Sequence, residues 1–151
     1  MMKLNLPEYP FKLKKENDKI LILDEIRKMY VVCTPEEWVR QHFVKYLIHE
    51  KKYPAGLLAV EKSFTFNRLS YRADIVAHDK TGAPRMIVEC KAPGINITQQ
   101  AFDQAARYNF HFRVKYLILT NGMKHYCCKI DLEKNSLEMV REVPGFGLMK
   151  Y

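Results

Sequence analysis

The chain has 151 residues, 48% of them hydrophobic, which matches one ordinary domain with one sizeable core. Lysine and arginine number 25 against 17 aspartates and glutamates, a formal net charge of +8 that favours a polyanionic partner such as nucleic acid, although the basic residues are spread along the chain rather than massed. No apolar run is long enough to cross a bilayer, and the start MMKLNLPEYPFKLKKEND has no signal-peptide core, so a cytoplasmic protein with no membrane partner is expected.

Cys33, Cys90, Cys127 and Cys128 form no CxxC pair, and His42, His49, His78, His111 and His125 fall at no zinc-ligand spacing. Neither a zinc site nor a disulfide framework is expected on that pattern.

Before residue 33 the apolar run Ile20, Leu21, Ile22, Leu23 and the later Met29, Tyr30, Val31 read as short strand-like pieces. The first clear element opens at Thr34-Pro35-Glu36-Glu37. Thr34 can cap, Pro35 suits the first helical position, and Glu37 completes a capping box. A helix to about Lys51 follows, with Trp38, Val39, Phe43, Tyr46 and Leu47 as its inward stripe, and Tyr53-Pro54-Ala55-Gly56 breaks it.

Three strands are expected next, at Leu57 to Phe66, Tyr71 to His78 and Arg85 to Ala92, forming an antiparallel meander with a turn at Asp79-Lys80-Thr81-Gly82. Thr98 can cap a second helix to about Phe112, turning Ala101, Phe102, Ala105 and Phe112 towards a sheet. Lys115 to Thr120 reads as a strand, Asn121-Gly122 as a hairpin turn, and Lys124 to Asp131 and Leu137 to Val143 as the last strands. With no repeat, linker or low-complexity tract, residues 1–151 read as a single α/β domain with a mixed central sheet flanked by helices.

Two strands of this plan carry charges where apolar residues are expected. Alternation puts Ile87, Glu89 and Lys91 on one face and Met86, Val88 and Cys90 on the other, so Glu89 and Lys91 are neighbours. Asp74 interrupts the preceding strand, and a hairpin of the two strands can bring Asp74 beside Glu89. Two carboxylates held close repel unless a cation lies between them. Oxygen ligands of this kind suit Mg²⁺ or Mn²⁺, which can hold a phosphodiester oxygen and activate water, while Lys91 orients or deprotonates that water or neutralises the phosphorane. One cation is then expected to touch both carboxylates, with the Lys91 ammonium on the same side. An ordinary salt bridge at a strand edge is the alternative.

The order helix, three strands, helix, strand, with Asp74 on one strand and Glu89-Cys90-Lys91 on the next, resembles the PD-(D/E)xK nuclease superfamily. More specifically, Thr34-Pro35-Glu36-Glu37-Trp38-Val39-Arg40, Asp74, Val88-Glu89-Cys90-Lys91-Ala92-Pro93 and Gln104-Ala105-Ala106-Arg107-Tyr108 resemble the N-terminal nuclease domain of type I restriction enzyme R (HsdR) subunits, over about residues 30–125. Ala73 stands where the superfamily name has proline. The resemblance implies a restriction-endonuclease-like core of order α-β-β-β-α-β, endodeoxyribonuclease activity, and Asp74, Glu89 and Lys91 as catalytic residues. It also implies a metal held by Asp74, Glu89 and the backbone carbonyl of Cys90. Glu37 resembles the first-helix acid that often completes such sites, though its capping role explains it equally well, and Glu61 is a further substitute.

Gln104 and Tyr108 match a Gln-x-x-x-Tyr motif. With Gln100 they share one helical face by spacing, and with Arg107 they form the expected phosphate-contacting surface. No Gly-x-x-x-x-Gly-Lys sequence is present, so the chain is not expected to translocate DNA by itself, and it reads either as a stand-alone nuclease or as a component that joins separate motor, methyltransferase or specificity subunits. A catalytically silent DNA-binding or assembly module is the competing reading.

Overall fold

The computed structural model describes residues 1–149, apart from the side chains of Phe66 and His111, so the reading of His111 and the last two residues of the expected domain lie outside the described residues. Helix α1 (Pro35–His49) begins where its capping signal stands, with Thr34 Oγ1 accepting the Glu37 N–H at 3.0 Å. Its Val39, Phe43 and Leu47 are fully buried, and Trp38 and Tyr46 are half-buried beside them.

Strands β4 (Leu58–Phe66), β5 (Leu69–His78) and β6 (Pro84–Cys90) form the expected antiparallel meander. Buried Asp79 ties the β5–β6 turn, accepting from Thr81 and Ala83 amides and from Arg85 Nε at 2.6 Å. Helix α2 (Gln99–Phe112), capped by Thr98, carries the chain across the sheet, so β7 (Tyr116–Thr120) pairs parallel to β6. Strands β8 (His125–Asp131) and β9 (Ser136–Val140) return antiparallel, giving the order β4-β5-β6-β7-β8-β9.

Each helix covers one face. On the α1 face Val39, Phe43 and Leu47 pack with Ile75, Ala77, Met86, Val88 and Ile118, and on the α2 face Phe102, Ala105 and Ala106 pack with Val76, Ile87, Leu117 and Leu119. All five residues of β7 are buried, as a central strand covered on both faces requires. Gly122 in the β7–β8 turn has φ +83° and lies against Leu4, whose side chain would be 2.9 Å from an added Cβ.

The ambiguous N-terminal region is a separate three-stranded antiparallel sheet of β1 (Leu13–Glu16), β2 (Lys19–Asp24) and β3 (Met29–Val32). Its contribution to the interior is narrow: Ile22 and Asp24 are buried, and β1 is exposed throughout. Among the described residues no helix is long and apolar enough to cross a membrane.

Candidate active site

The meander is irregular where its charges lie. Val60 and Ile75 are paired and pack on the α1 face, whereas Phe64, Tyr71 and Ala73 pack on the α2 face. Strict alternation would put Ala73 and Ile75 on the same side. The facing switches at Glu61 and Asp74, and Glu61 has the left-handed φ of +55°. Such a backbone costs on the order of 1–2 kcal/mol for a non-glycine residue.

The β5–β6 ladder stops at Ile75↔Val88, and the next amide, that of Cys90, donates to Asp74 Oδ2 at 2.7 Å. Asp74 Oδ1 accepts from Arg40 Nη2 of α1 at 2.8 Å. The Asp74 carboxylate therefore lies against the opening seam between the two strands, on the α1 side.

Glu89 follows the regular pleat of β6 and faces α2. It meets the Tyr71 hydroxyl, and the Tyr71 ring is stacked on Tyr108 at 4.5 Å and on Phe112 at 5.8 Å. Tyr71, Glu89, Lys91, Gln104 and Tyr108 line a small cavity of about 160 Å³. Gln100, Gln104, Arg107 and Tyr108, with Leu69, line a wider cleft of about 400 Å³. Burial pushes the Glu89 carboxyl up to about 8, against the pull of Lys91, and the negative charge of Glu36 adds to the rise. In the cation-free protein Glu89 is thus largely protonated at neutral pH.

A network of charges centred on buried Arg40 and Glu37 adjoins Asp74. Arg40 contacts Glu37 at 2.7 Å, Glu36 at 3.0 Å and Glu61 at 3.4 Å as well as Asp74. Glu37 is turned into this network, accepting also from Arg27 at 2.9 Å and Gln41 at 3.1 Å. The α1 acid whose charge reaches both Asp74 and Glu89 is instead Glu36.

The structure thus places Asp74, Glu89 and Lys91 where the β5–β6 ladder ends, with Asp74 turned to the α1 side and Glu89 to the α2 side, Gln104 and Tyr108 over Glu89, and Gln100 and Arg107 in the outer cleft. Asp74 and Glu89 have separate partners, and among the described residues no group of three or more His, Cys, Asp or Glu side chains is clustered to hold a metal. Sequence reasoning missed Arg40 and Tyr71. The spacing of Arg40 from Glu36 and Glu37 was legible as helical ion pairing. Its bond to Asp74 and the approach of Tyr71 to Glu89 depend on the pleat switch, which leaves no local signal.

With 18% identity and a TM-score of 0.57, a fragment described as an HsdR subunit of a type I restriction enzyme from Vibrio vulnificus YJ016 shares this fold. The likeness covers 78% of this chain and 24% of that one, so the chain spans about a quarter of that fragment's length. No curated protein matches the chain. The family described as type I restriction enzyme R protein N terminus (HSDR_N) matches residues 35–144, from the first turn of α1 to just beyond β9. On that match the chain belongs to the type I restriction enzyme R protein N-terminal family.

Proposed function

We propose that the chain is a divalent-cation-dependent endodeoxyribonuclease of the PD-(D/E)xK type, with Asp74, Glu89 and Lys91 as its catalytic residues. The observation that supports this reading is that Glu89 and Lys91 line one cavity with Gln104 and Tyr108 of α2, while Asp74, on the α1 side, accepts from the amide of Cys90 between them at the end of the β5–β6 ladder.

The donor set fits Mg²⁺ or Mn²⁺. Glu89 is a poorly solvated carboxyl whose only side-chain partner among the described residues is the Tyr71 hydroxyl, and a cation would restore its charge. Asp74, held at the Cys90 amide on the α1 side of the seam, would be the second carboxylate, and the Cys90 backbone carbonyl a third oxygen. Two carboxylates suffice for an ion that keeps several waters. Glu36 is the α1 acid best placed to assist, since Glu37 is already held by Arg27, Arg40 and Gln41.

The ion's contribution when bound is to lower the pKa of a water and to offset charge building on the phosphate. Lys91, exposed at the mouth of the cavity, orients the attacking water or neutralises the phosphorane. Gln104 and Tyr108, with Gln100 and Arg107 further out, bond the DNA backbone next to the scissile phosphate. Arg40 neutralises Asp74 until the site is loaded. The family relation supports DNA and the motor, methyltransferase and specificity components of a restriction system as partners.

One observation favours a catalytically silent DNA-binding or assembly module: Asp74 and Glu89 each already have a protein partner, Arg40 and Tyr71. Supercoiled plasmid incubated with the pure protein separates the two. The nuclease reading expects nicked or linear DNA with Mg²⁺ or Mn²⁺, none with EDTA, and none with Lys91→Ala. Cleavage that survives EDTA or Lys91→Ala contradicts it, and intact plasmid with DNA binding retained supports the silent module.

A further inference from the structure

Beyond Asp74 the β4–β5 hairpin leaves the sheet. The β5–β6 ladder ends at Ile75, but β4 and β5 stay paired from Lys62↔Ala73 to Phe66↔Leu69, a two-stranded arm extending roughly 15 Å past the seam. A lone ribbon of this kind is marginal in water. This one is held on one face by α2, with Phe64 5.1 Å from Phe112 and Tyr71 stacked on Tyr108.

The other face of the arm is uncovered. Ser63 pairs with Arg72 and Thr65 with Ser70, and all four are exposed. From Lys62 to Arg72 there is no acidic residue. Arg72 has a carboxylate neighbour, Glu61, at 3.9 Å, but its side chain is 65% exposed, and such surface pairs contribute little. At the tip, Asn67 and Arg68 have φ of +48° and +69°, the two left-handed positions of a type I′ turn. Glycine is favoured at the second of them, so Arg68 stands there against the preference of the backbone.

We propose that this arm is a DNA-backbone clamp. Its hydroxyl and arginine face, running from Arg68 through Ser70 and Thr65 to Arg72 and Ser63, binds the phosphates that lead into Asp74. This inference rests on the DNA-cleaving reading above and adds a contact surface on the side of the hairpin away from Gln100, Gln104 and Arg107. The recognition is by charge and hydroxyl donors, so it is independent of base sequence.

The test titrates cation-free protein with a short DNA duplex at several salt concentrations, comparing the wild type with Arg68→Gly, Arg72→Gln and, as a control of equal charge, Arg141→Gln beyond β9. Arg68→Gly creates the preferred Asn-Gly turn, so its unfolding midpoint should be equal or higher, which keeps a loss of binding from being a loss of fold. Arg68→Gly and Arg72→Gln are each expected to weaken binding several-fold at low salt and to flatten the slope of log affinity against log salt by about 0.9. Arg141→Gln should leave that slope unchanged. Wild-type affinity and slope in both arm variants, or losses no larger than that of Arg141→Gln, overturn the clamp alone. Failure of the wild type to bind duplex at low salt overturns the DNA reading beneath it.

Discussion

Glu89 is a carboxyl whose chemistry departs far from its free behaviour. Burial raises its carboxyl to about 8 in the folded chain, whereas an unfolded glutamate titrates near ~4.3. The folded state therefore keeps a proton that the unfolded state has released. Any stability from this group is fully present below pH ~4.3 and is lost as pH rises to about 8. Glu89→Gln does not titrate, so in EDTA it should gain on the wild type across that window, by at most about 1.4 kcal/mol for each unit of displacement. Urea unfolding of both proteins at pH 5 and pH 8 measures this, and a stability difference that does not change with pH would contradict the burial argument. Glu89 and Lys91 were legible in the sequence as neighbours on one face because β6 keeps its period of two. The turn of Asp74 towards Arg40 was not, because it depends on the left-handed Glu61 across the ladder.

Among the elements, α1 shows what local sequence can specify. Thr34 and Pro35 fix its start, and Thr34→Ala should destabilise the protein by about 1 kcal/mol, read as a lower urea midpoint with an unchanged slope. No change in midpoint would mean that the fold, rather than the cap, sets the helix boundary. The apolar stripe of α1 was also readable, but its buried polar side was not: Glu37 accepts from Arg27, and Gln41 donates to Asp24, of the N-terminal segment, while buried Arg40 meets Glu37 and Asp74. Burial would raise the Asp24 carboxyl, yet hydrogen bonds from the Arg27 amide and guanidinium and from Gln41 outweigh it and hold it below its ordinary value. That sheet was hard to read because β1, Leu-Lys-Lys-Glu, has no apolar alternation and is exposed along its length. Strand β6 was expected to reach Ala92 and ends at Cys90, although the Lys91 amide still donates to Thr120 at 2.8 Å and holds Lys91 against β7.

At the scale of the whole molecule, the α2 crossover sets β7 parallel to β6 and places Gln104 and Tyr108 over the end of β6 that carries Glu89. The order of elements was legible because capping residues and turns punctuate it. The opening of the β5–β6 seam, where the candidate cation site lies, arises only when three strands and α1 are assembled. The central claim is that this assembled seam binds a divalent cation through Asp74 and Glu89, and calorimetric titration of Mn²⁺ into the apo-protein at pH 7 tests it without requiring DNA or partner subunits. The account predicts binding that releases protons, because Glu89 is protonated before the ion enters, and loss of that binding in both Asp74→Asn and Glu89→Gln. Absence of binding by the wild type at millimolar Mn²⁺, or binding that persists in both variants, would contradict it.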